Sequence, residues 1–137
     1  MGSPRASVII RCYNESEHIG KLLHGLSAQS MQDLEIILVD SGSTDGTLEI
    51  AEEYGVDEIV YIDPENFSFG RALNYGCEAA NADLCVIASA HVYPKRDDWL
   101  ERLLEKFDND IALVYGNQRG NDVTTFSEEQ IFKQWFP

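Results

Sequence analysis

The stretch LEIILVDSGSTDGT, from Leu34 to Thr47, decides the fold class of this chain. An unbroken apolar run carries a carboxylate, Asp40, to the end of a predicted strand, and a loop of small polar residues and glycines leads directly into a helical pattern. Ligands of open α/β sheets bind just beyond the carboxyl ends of the strands, so Asp40 stands where a ligand-reading acid is expected. The structural alternative is that Ser43 or Asp45 caps the next helix and Asp40 is a solvated turn residue.

Strand and helix patterns alternate on both sides of this stretch, with short connections between them. Strands are predicted over residues 6–12, 34–39, 58–62, 84–88 and 111–115; helices are predicted after an Asn14–Glu17 capping box, over 47–54 and 69–81, from Asp97 or Asp98, and over 127–136. Apolar strands separated by amphipathic helices are typical of an α/β fold with a mostly parallel sheet and helices on both faces.

The polar loops of this predicted sheet should meet at one edge. Right-handed crossovers place every strand-to-helix loop on the same side of a parallel sheet. That edge would hold Tyr13–Glu15, Asp40–Asp45, Ser89–His91 and Gly116–Arg119. We expect residues 6–137 to form one domain and residues 1–5 to be a disordered or vector-derived leader.

The charge balance limits the partners of the chain. Its 137 residues include 24 acidic and 10 basic side chains, which give a net charge of -14. Such a chain should repel nucleic acids and anionic lipids, so no nucleic-acid partner is expected. A phosphorylated ligand would need local compensation from a divalent cation, helix amino termini or a few arginines.

Cysteine usage and hydropathy indicate a cytoplasmic protein. Cys12, Cys77 and Cys85 fall within predicted strands and a helix, and we expect them to be reduced core residues. No apolar run approaches the length of about 18 residues that a transmembrane helix needs, so no membrane span is predicted.

Two residues at the predicted edge are suited to a nucleobase. Tyr13 follows the first strand and Asp40 follows the second. A ring can stack on a base, which contributes about 1–3 kcal/mol, while the acid accepts a base N–H. The alternative is that Tyr13 covers a helix end and Asp40 caps a turn.

Other side chains near this edge are suited to phosphate or metal. His91 follows the fourth strand and could ligate a divalent cation or donate to a diphosphate, although a lone histidine is more often structural or exposed. Arg71 could bind a phosphate bidentately or pair with Asp63 or Glu65 instead.

Three segments carry a resemblance to a known family. Ser7–Glu15, SVIIRCYNE, resembles an opening strand with a Y-N-E-type ending, and Val39–Thr47, VDSGSTDGT, is similar to V-D-[DN]-G-S-x-D-x-T. Ala72–Gly76, ALNYG, resembles A-R-N-x-G, with Leu73 in the place of arginine and Arg71 two positions earlier. Together they resemble the family 2 glycosyltransferases, which have the Rossmann-like GT-A fold.

The resemblance implies that the chain binds a nucleotide-diphospho-sugar donor for inverting transfer to the hydroxyl of a sugar or lipid-linked acceptor. Tyr13 would stack on the base, Asp40 would read it, and Arg71 would lie near the diphosphate. The donor-binding residues that it implies are Cys12, Tyr13, Glu15, Asp40, Ser41, Gly42, Arg71, Asn74, Ser89 and Ala90. The setting that it implies is surface polysaccharide biosynthesis, in the cytoplasm or at the inner face of the membrane.

Two features depart from the family pattern. The metal-binding D-x-D position reads Ser89-Ala90-His91, which leaves His91 as the predicted ligand of Mg²⁺ or Mn²⁺. No E-D-x-D-type motif follows Gly116, so we expect the catalytic base to lie beyond Pro137 in a longer enzyme.

Two further classes of function remain open from the sequence. A non-catalytic nucleotide-binding module could have kept the fold and lost the chemistry. A receiver-like signalling domain is also a compact α/β fold, but it needs paired acids after the first strand and a lysine after the fifth. This chain has Asn14-Glu15 and Gly116–Arg119 at those places.

Overall fold

The computed structural model describes residues 2–116 and Gln134, which belong to two compact units, residues 1–100 and 101–137. The first unit contains four strands, three helices, a 3₁₀ turn over Pro64–Asn66 and the start of a fourth helix. In chain order they are β1 (Ala6–Cys12), α1 (Ile19–Ser27), β2 (Leu34–Asp40), α2 (Thr47–Glu53), β3 (Glu58–Tyr61), α3 (Phe69–Ala79), β4 (Cys85–Ser89) and α4 (Trp99–Leu104). The predicted α/β class is confirmed.

The four strands form one parallel sheet in the order β3-β2-β1-β4. The central strand β1 lies beside β2, where Cys12 is in register with Asp40, and beside β4, where Arg11 is in register with Ser89. The carboxyl ends of β1, β2 and β4 therefore lie next to one another, as the crossover rule predicts.

Alternation along the strands assigns two buried faces to the sheet. Ile9, Ile37 and Val39 form one cluster with Ala72 of α3. Gly76 explains how closely this helix approaches, because a Cβ at that position would lie 2.3 Å from Ile9 Cγ2. The opposite face, which includes Val8, Ile10 and Leu38, is also fully buried, so the sheet is covered on both sides.

A buried carboxylate fastens α3 to the amino end of the sheet. Glu35 of β2 accepts hydrogen bonds from the Ser7 hydroxyl, from Asn81 N at 2.5 Å and from Asn81 Nδ2 at 2.9 Å. Burial alone would raise the pKa of Glu35, but the hydrogen bonds from Asn81 and Ser7 outweigh it and lower the pKa. The carboxylate at this end of the sheet is therefore hydrogen-bonded by groups of the protein itself.

The predicted fifth strand is wrong. Residues 111–116 belong to the second unit, and within the described part of that unit no strand is assigned to them. Leu113 is 77% exposed and Tyr115 75% exposed. An apolar run forms a strand only when a neighbouring strand and a packed face stabilise it. The predicted helix over 127–136 and residues 117–119 of the predicted edge lie outside the described residues, apart from Gln134.

Two of the three predicted core cysteines are not in the core. All three are free thiols, but only Cys12 is buried, whereas Cys77 and Cys85 are exposed. Cys85 lies on β4, at the edge of the described sheet, where one side of the strand has no described neighbour to cover it. Partial burial and the hydrogen-bonded Cys77 thiol raise the pKa of Cys85 to about 11.

Candidate functional site

The loops that follow β1 and β2 are held together by hydrogen bonds between backbone and side chains. Asn14 has a positive φ of 50°, its N–H donates to Ser43 Oγ at 2.9 Å, and its Oδ1 accepts from Thr44 N at 2.8 Å. Asparagine tolerates this left-handed conformation better than most residues do. The Y-N-E ending and the S-T-D segment are therefore two halves of one clamp.

A second pair of contacts completes the clamp. Glu15 N donates to Thr47 Oγ1 at 2.9 Å, and Ser16 N donates to Asp45 Oδ2 at 3.1 Å. Hydrogen bonds from Thr47 and Ser16 lower the pKa of Asp45 to about 2. Asp45 also accepts from Thr47 N, the first N–H of α2, at 3.1 Å, although the N-cap residue is Gly46, which has no side-chain cap.

The predicted capping box at Asn14–Glu17 is wrong. Helix α1 begins at Ile19, and its N-cap His18 makes no side-chain cap. The Asn14 side chain accepts from Thr44 N of the neighbouring loop instead. Local spacing could not reveal that competition.

Asp40 is turned into its own loop. It is 1% exposed, and its Oδ2 accepts from Gly42 N at 3.0 Å and from Ser43 N at 3.1 Å. The Cys12 thiol donates to Oδ1 at 3.4 Å, and burial followed by the nearby Asp40 charge raises the pKa of Cys12 strongly. Asp40 thus stabilises a turn, and it is buried rather than solvated as the structural alternative proposed. Recognition of a nucleobase by Asp40 stays a prediction.

Tyr13 lies one residue beyond β1 and exposes 57% of its surface. Among the described residues, no hydrogen bond or ring contact connects it to Asp40. Register pairs Asp40 with Cys12 instead. The predicted phenol–carboxylate pair is therefore adjacent in the sheet without direct contact, and the Tyr13 ring is accessible from solvent.

Three predicted residues, Glu15, Ser89 and His91, do meet across this edge. His91 Nδ1 lies 3.2 Å from Glu15 Oε1, and His91 Nε2 lies 3.4 Å from Ser89 Oγ. We assign the ring proton to Nδ1, since the carboxylate can only accept. In this tautomer Nε2 of the exposed imidazole is an acceptor, and the Ser89 hydroxyl is its donor. Ala90 between them is buried and fixes the turn.

The arrangement fits a divalent cation that a ligand helps to hold. In metal sites, the ring nitrogen of a histidine that does not bind the metal usually donates its N–H to a carboxylate, a backbone carbonyl or water. Within residues 2–116 and Gln134, no cluster of three or more His, Cys, Asp or Glu side chains could hold a metal alone. Mg²⁺ is commonly bound by one or two carboxylates together with phosphate oxygens. His91 offers one imidazole nitrogen to such a site, so a cation there would need its remaining ligands from a bound phosphate group.

The other predicted residues lie around this edge. Arg71 Nη1 donates to Asn66 O at 2.6 Å, and in the described part of the chain no ion pair joins Arg71 to Asp63 or Glu65. Asn74 is exposed one turn later on α3. Ser41 N donates to Cys12 O at 3.2 Å, and Gly42 has a φ of 102°, which glycine adopts without strain.

The sequence analysis missed one residue here, Arg11. It is half-buried, and its Cζ lies 4.6 Å from the centroid of the Phe69 ring. The available signal was a single cation in the second-to-last position of an otherwise apolar central strand.

Sequence comparison finds a matching family and similar proteins. The profile of glycosyl transferase family 2 matches residues 7–135. An uncharacterized glycosyltransferase of Rickettsia typhi is 36% identical over 115 residues, which cover 82% of this chain and 36% of that protein. Glycosyltransferase AglE of Haloferax volcanii is 34% identical over 83% of this chain and 39% of its own length. The chain therefore spans well under half the length of these relatives.

Solved structures with the same fold carry donors. The mannosyltransferase PcManGT from Pyrobaculum calidifontis, in complex with GDP-Man and Mn²⁺, matches with a TM-score of 0.66 and 27% identity over 75% of this chain and 32% of that one. S. aureus TarS 1-349 in complex with UDP-GlcNAc matches with a TM-score of 0.64 over 74% of this chain and 30% of its own. Its identity is 24%, so it shows the fold alone.

Proposed function

This chain belongs to glycosyl transferase family 2, and from that premise we propose that it is the donor-binding part of a longer glycosyltransferase. It binds a nucleotide-diphospho-sugar, and the whole enzyme transfers the sugar to the hydroxyl of a sugar or lipid-linked acceptor. The observation that carries this proposal is the contact of Glu15 and Ser89 with His91 at the carboxyl edge of the sheet, beside the exposed Tyr13 ring.

The donor's base is assigned to the β1–β2 side of this edge. Tyr13 stacks on the base, since its ring is exposed and stacking tolerates any base. Asp40, with Ser41 and Gly42, shapes the turn beside it, and Cys12 supports the Asp40 carboxylate from β1. The clamp between the two loops keeps this surface in place before a ligand arrives.

The diphosphate is assigned to the carboxyl ends of β1 and β4, where Ser89 and Ala90 place His91. Arg71 and Asn74 are exposed on α3, which packs over β1 and β2. His91 Nε2 is the atom that would hold Mg²⁺ or Mn²⁺, and Glu15 orients the ring. A divalent cation supplies charge neutralisation for the departing diphosphate. The Mn²⁺ in the PcManGT complex is consistent with this assignment.

The reaction we propose is an inverting displacement at the anomeric carbon. The acceptor oxygen forms a bond to the anomeric carbon while the bond from that carbon to the diphosphate oxygen breaks and the nucleoside diphosphate leaves. A carboxylate base takes the proton of the acceptor hydroxyl. We assign that base to the protein beyond Pro137. The part played by this chain is to hold the donor rigidly, so that the acceptor meets it in one orientation.

The setting that we propose is the cytoplasm, at the inner face of the membrane, in surface polysaccharide biosynthesis. Three free thiols fit a reducing compartment. In residues 2–116 and Gln134, no helix combines the length and apolarity needed to cross a bilayer.

Titration calorimetry with UDP, GDP and dTDP, with and without Mn²⁺, tests the proposal. We expect one nucleotide to bind, with tighter binding in Mn²⁺. His91→Ala should remove the gain from Mn²⁺, whereas His24→Ala, which changes an exposed histidine on α1, should keep it. If none of the three nucleotides binds in either condition, the chain is not a donor-binding part.

One observation favours a second candidate, a nucleotide-binding module without turnover. Ser89-Ala90-His91 stands where the family pattern has two acids. Donor hydrolysis by the longer protein distinguishes a glycosyltransferase from a module without turnover. A catalytic enzyme releases the nucleoside diphosphate slowly even without acceptor, whereas a module without turnover releases none. Family membership removes the receiver-like alternative.

A further inference from the structure

We propose that Arg11 binds the diphosphate of the nucleotide-sugar donor, an assignment that rests on the proposed function. Arg11 is the second-to-last residue of β1 and lies in register between Val39 of β2 and Ser89 of β4. Alternation places its side chain on the same face of the sheet as Ile9, which is the face that α3 covers. Its guanidinium therefore lies near the carboxyl end of the sheet, on the face that α3 covers, and its register neighbour on β4 is Ser89, the first residue of the S-A-H turn.

The surroundings of Arg11 favour binding of an anion. The guanidinium carbon lies 4.6 Å from the ring centroid of Phe69, the first residue of α3. Contact with the face of the Phe69 ring stabilises the guanidinium charge only in part. An anion bound at this end of the eleven-residue helix would also be favoured by the helix dipole.

The Nε–H group of Arg11 also lacks an acceptor. Nε is buried and, in the described part of the chain, donates no hydrogen bond. No ion pair joins it to any carboxylate of residues 2–116, although the chain has 24 acidic side chains. A buried donor without an acceptor costs stability, and a ligand oxygen that reached it would remove that cost.

The position of Arg11 points to the diphosphate rather than to the base. Its register neighbour Ser89 has its hydroxyl 3.4 Å from His91 Nε2, the atom assigned to the cation and its phosphates. Guanidinium groups bind phosphate oxygens through two parallel N–H donors. Arg71 of α3 already donates to Asn66 O, and Leu73 packs against the core. Arg11 is thus the arginine near this edge whose Nε–H has no acceptor among the described residues.

Calorimetry on the 137-residue chain tests the assignment. The probe is whichever of UDP, GDP and dTDP binds the wild type, measured in Mn²⁺ and in its absence. Arg11→Met should weaken binding by about 10- to 100-fold, as expected for loss of a hydrogen bond to a charged group. Arg11→Lys should recover part of the affinity. Arg5→Met, at the other end of β1, removes the same charge from an exposed side chain and should leave binding unchanged.

A direct readout comes from the Nε–Hε resonance of Arg11 in ¹H–¹⁵N spectra, assigned by its loss in Arg11→Lys. It should shift on addition of the nucleoside diphosphate or of inorganic pyrophosphate and stay in place with the nucleoside. Equal affinity in the wild type and in a folded Arg11→Met, or a resonance that the diphosphate does not move, would overturn the assignment while leaving donor binding intact. If the wild type binds no nucleotide, the proposed function falls and this inference falls with it.

Discussion

The two ends of β2 each hold a buried carboxylate, and the two carboxylates are used differently. Glu35, at the amino end, accepts from Ser7 and Asn81, which lie 28 and 46 positions away in sequence. Asp40, at the carboxyl end, accepts from the backbone of its own loop, Gly42 and Ser43, and from Cys12.

The difference shows which edge is prepared for a ligand. At the amino end, the donors around Glu35 come from a strand and from the residues after α3, so the contact only joins parts of the fold. At the carboxyl end, Asp40 holds a loop while Tyr13, His91 and Arg11 keep exposed or unpartnered groups. The sheet can leave exposed or unpartnered groups at the carboxyl ends of its strands because contacts at the amino ends supply stability.

Glu35→Ala should give the largest effect and separate the two ends. The change leaves the Ser7 hydroxyl and two Asn81 donors without their acceptor, so we expect the free energy of unfolding to fall by about 3 kcal/mol. Urea denaturation measures this, with the exposed Glu58→Ala of β3 as the matched control. Nucleotide affinity of the folded protein should not change. A loss of affinity without a loss of stability would contradict the division between the ends.

Asp40→Ala should affect both properties. Two loop N–H groups lose their acceptor, and we expect a loss of about 2 kcal/mol in unfolding free energy. Because the same loop borders the proposed base site, nucleotide affinity should fall as well. Asp40→Asn keeps an acceptor oxygen and should retain more of the stability. If calorimetry finds full affinity in Asp40→Ala, the carboxyl end of β2 is structural only.

The pH dependence of stability distinguishes the carboxylates of the clamp and of the amino end. The pKa of Glu35 is lowered from 4.5, and that of Asp45 is lowered from 3.8 to about 2. Since both groups bind protons more weakly in the folded state, their stabilisation is complete above the unfolded pKa values and disappears as pH falls through the folded ones. Urea midpoints should therefore drop below pH 4.5, and less steeply in Glu35→Gln and Asp45→Asn. Parallel curves for the wild type and both variants would refute this.

Glu17→Ala should give the smallest effect. The capping-box pattern predicts a loss of helix stability, whereas the structure leaves Glu17 exposed, 4.0 Å from an exposed His18. We expect a change in unfolding free energy within about 0.5 kcal/mol, as for most surface substitutions. A loss above 1 kcal/mol would restore the capping interpretation for α1.

Much of the fold was predictable because it depends on local pattern. The apolar runs around Ile9 and Ile37 and the helix over 69–79 gave the α/β class and the correct edge. The run over 111–115 has the same composition, yet it forms no strand among the described residues, since pairing decides whether such a run is extended.

The candidate site was predictable as a list of residues and only partly as an arrangement. Tyr13, Asp40 and His91 were identified from their places after strands. Arg11 was missed because a cation inside a strand gives no periodic signal, and its importance appears only beside Phe69.

The sequence by itself determined the first four strands and the helices between them, the parallel sheet and the family, because hydrophobic period, turn residues and motif spacing are all local. Only the tertiary structure decided which side chains meet. Glu15 reaches His91 across 76 positions, and Asp40 bonds to its own loop rather than to Tyr13. Such pairings are set by strand register and by competition among buried hydrogen-bonding groups, which no stretch of sequence contains on its own.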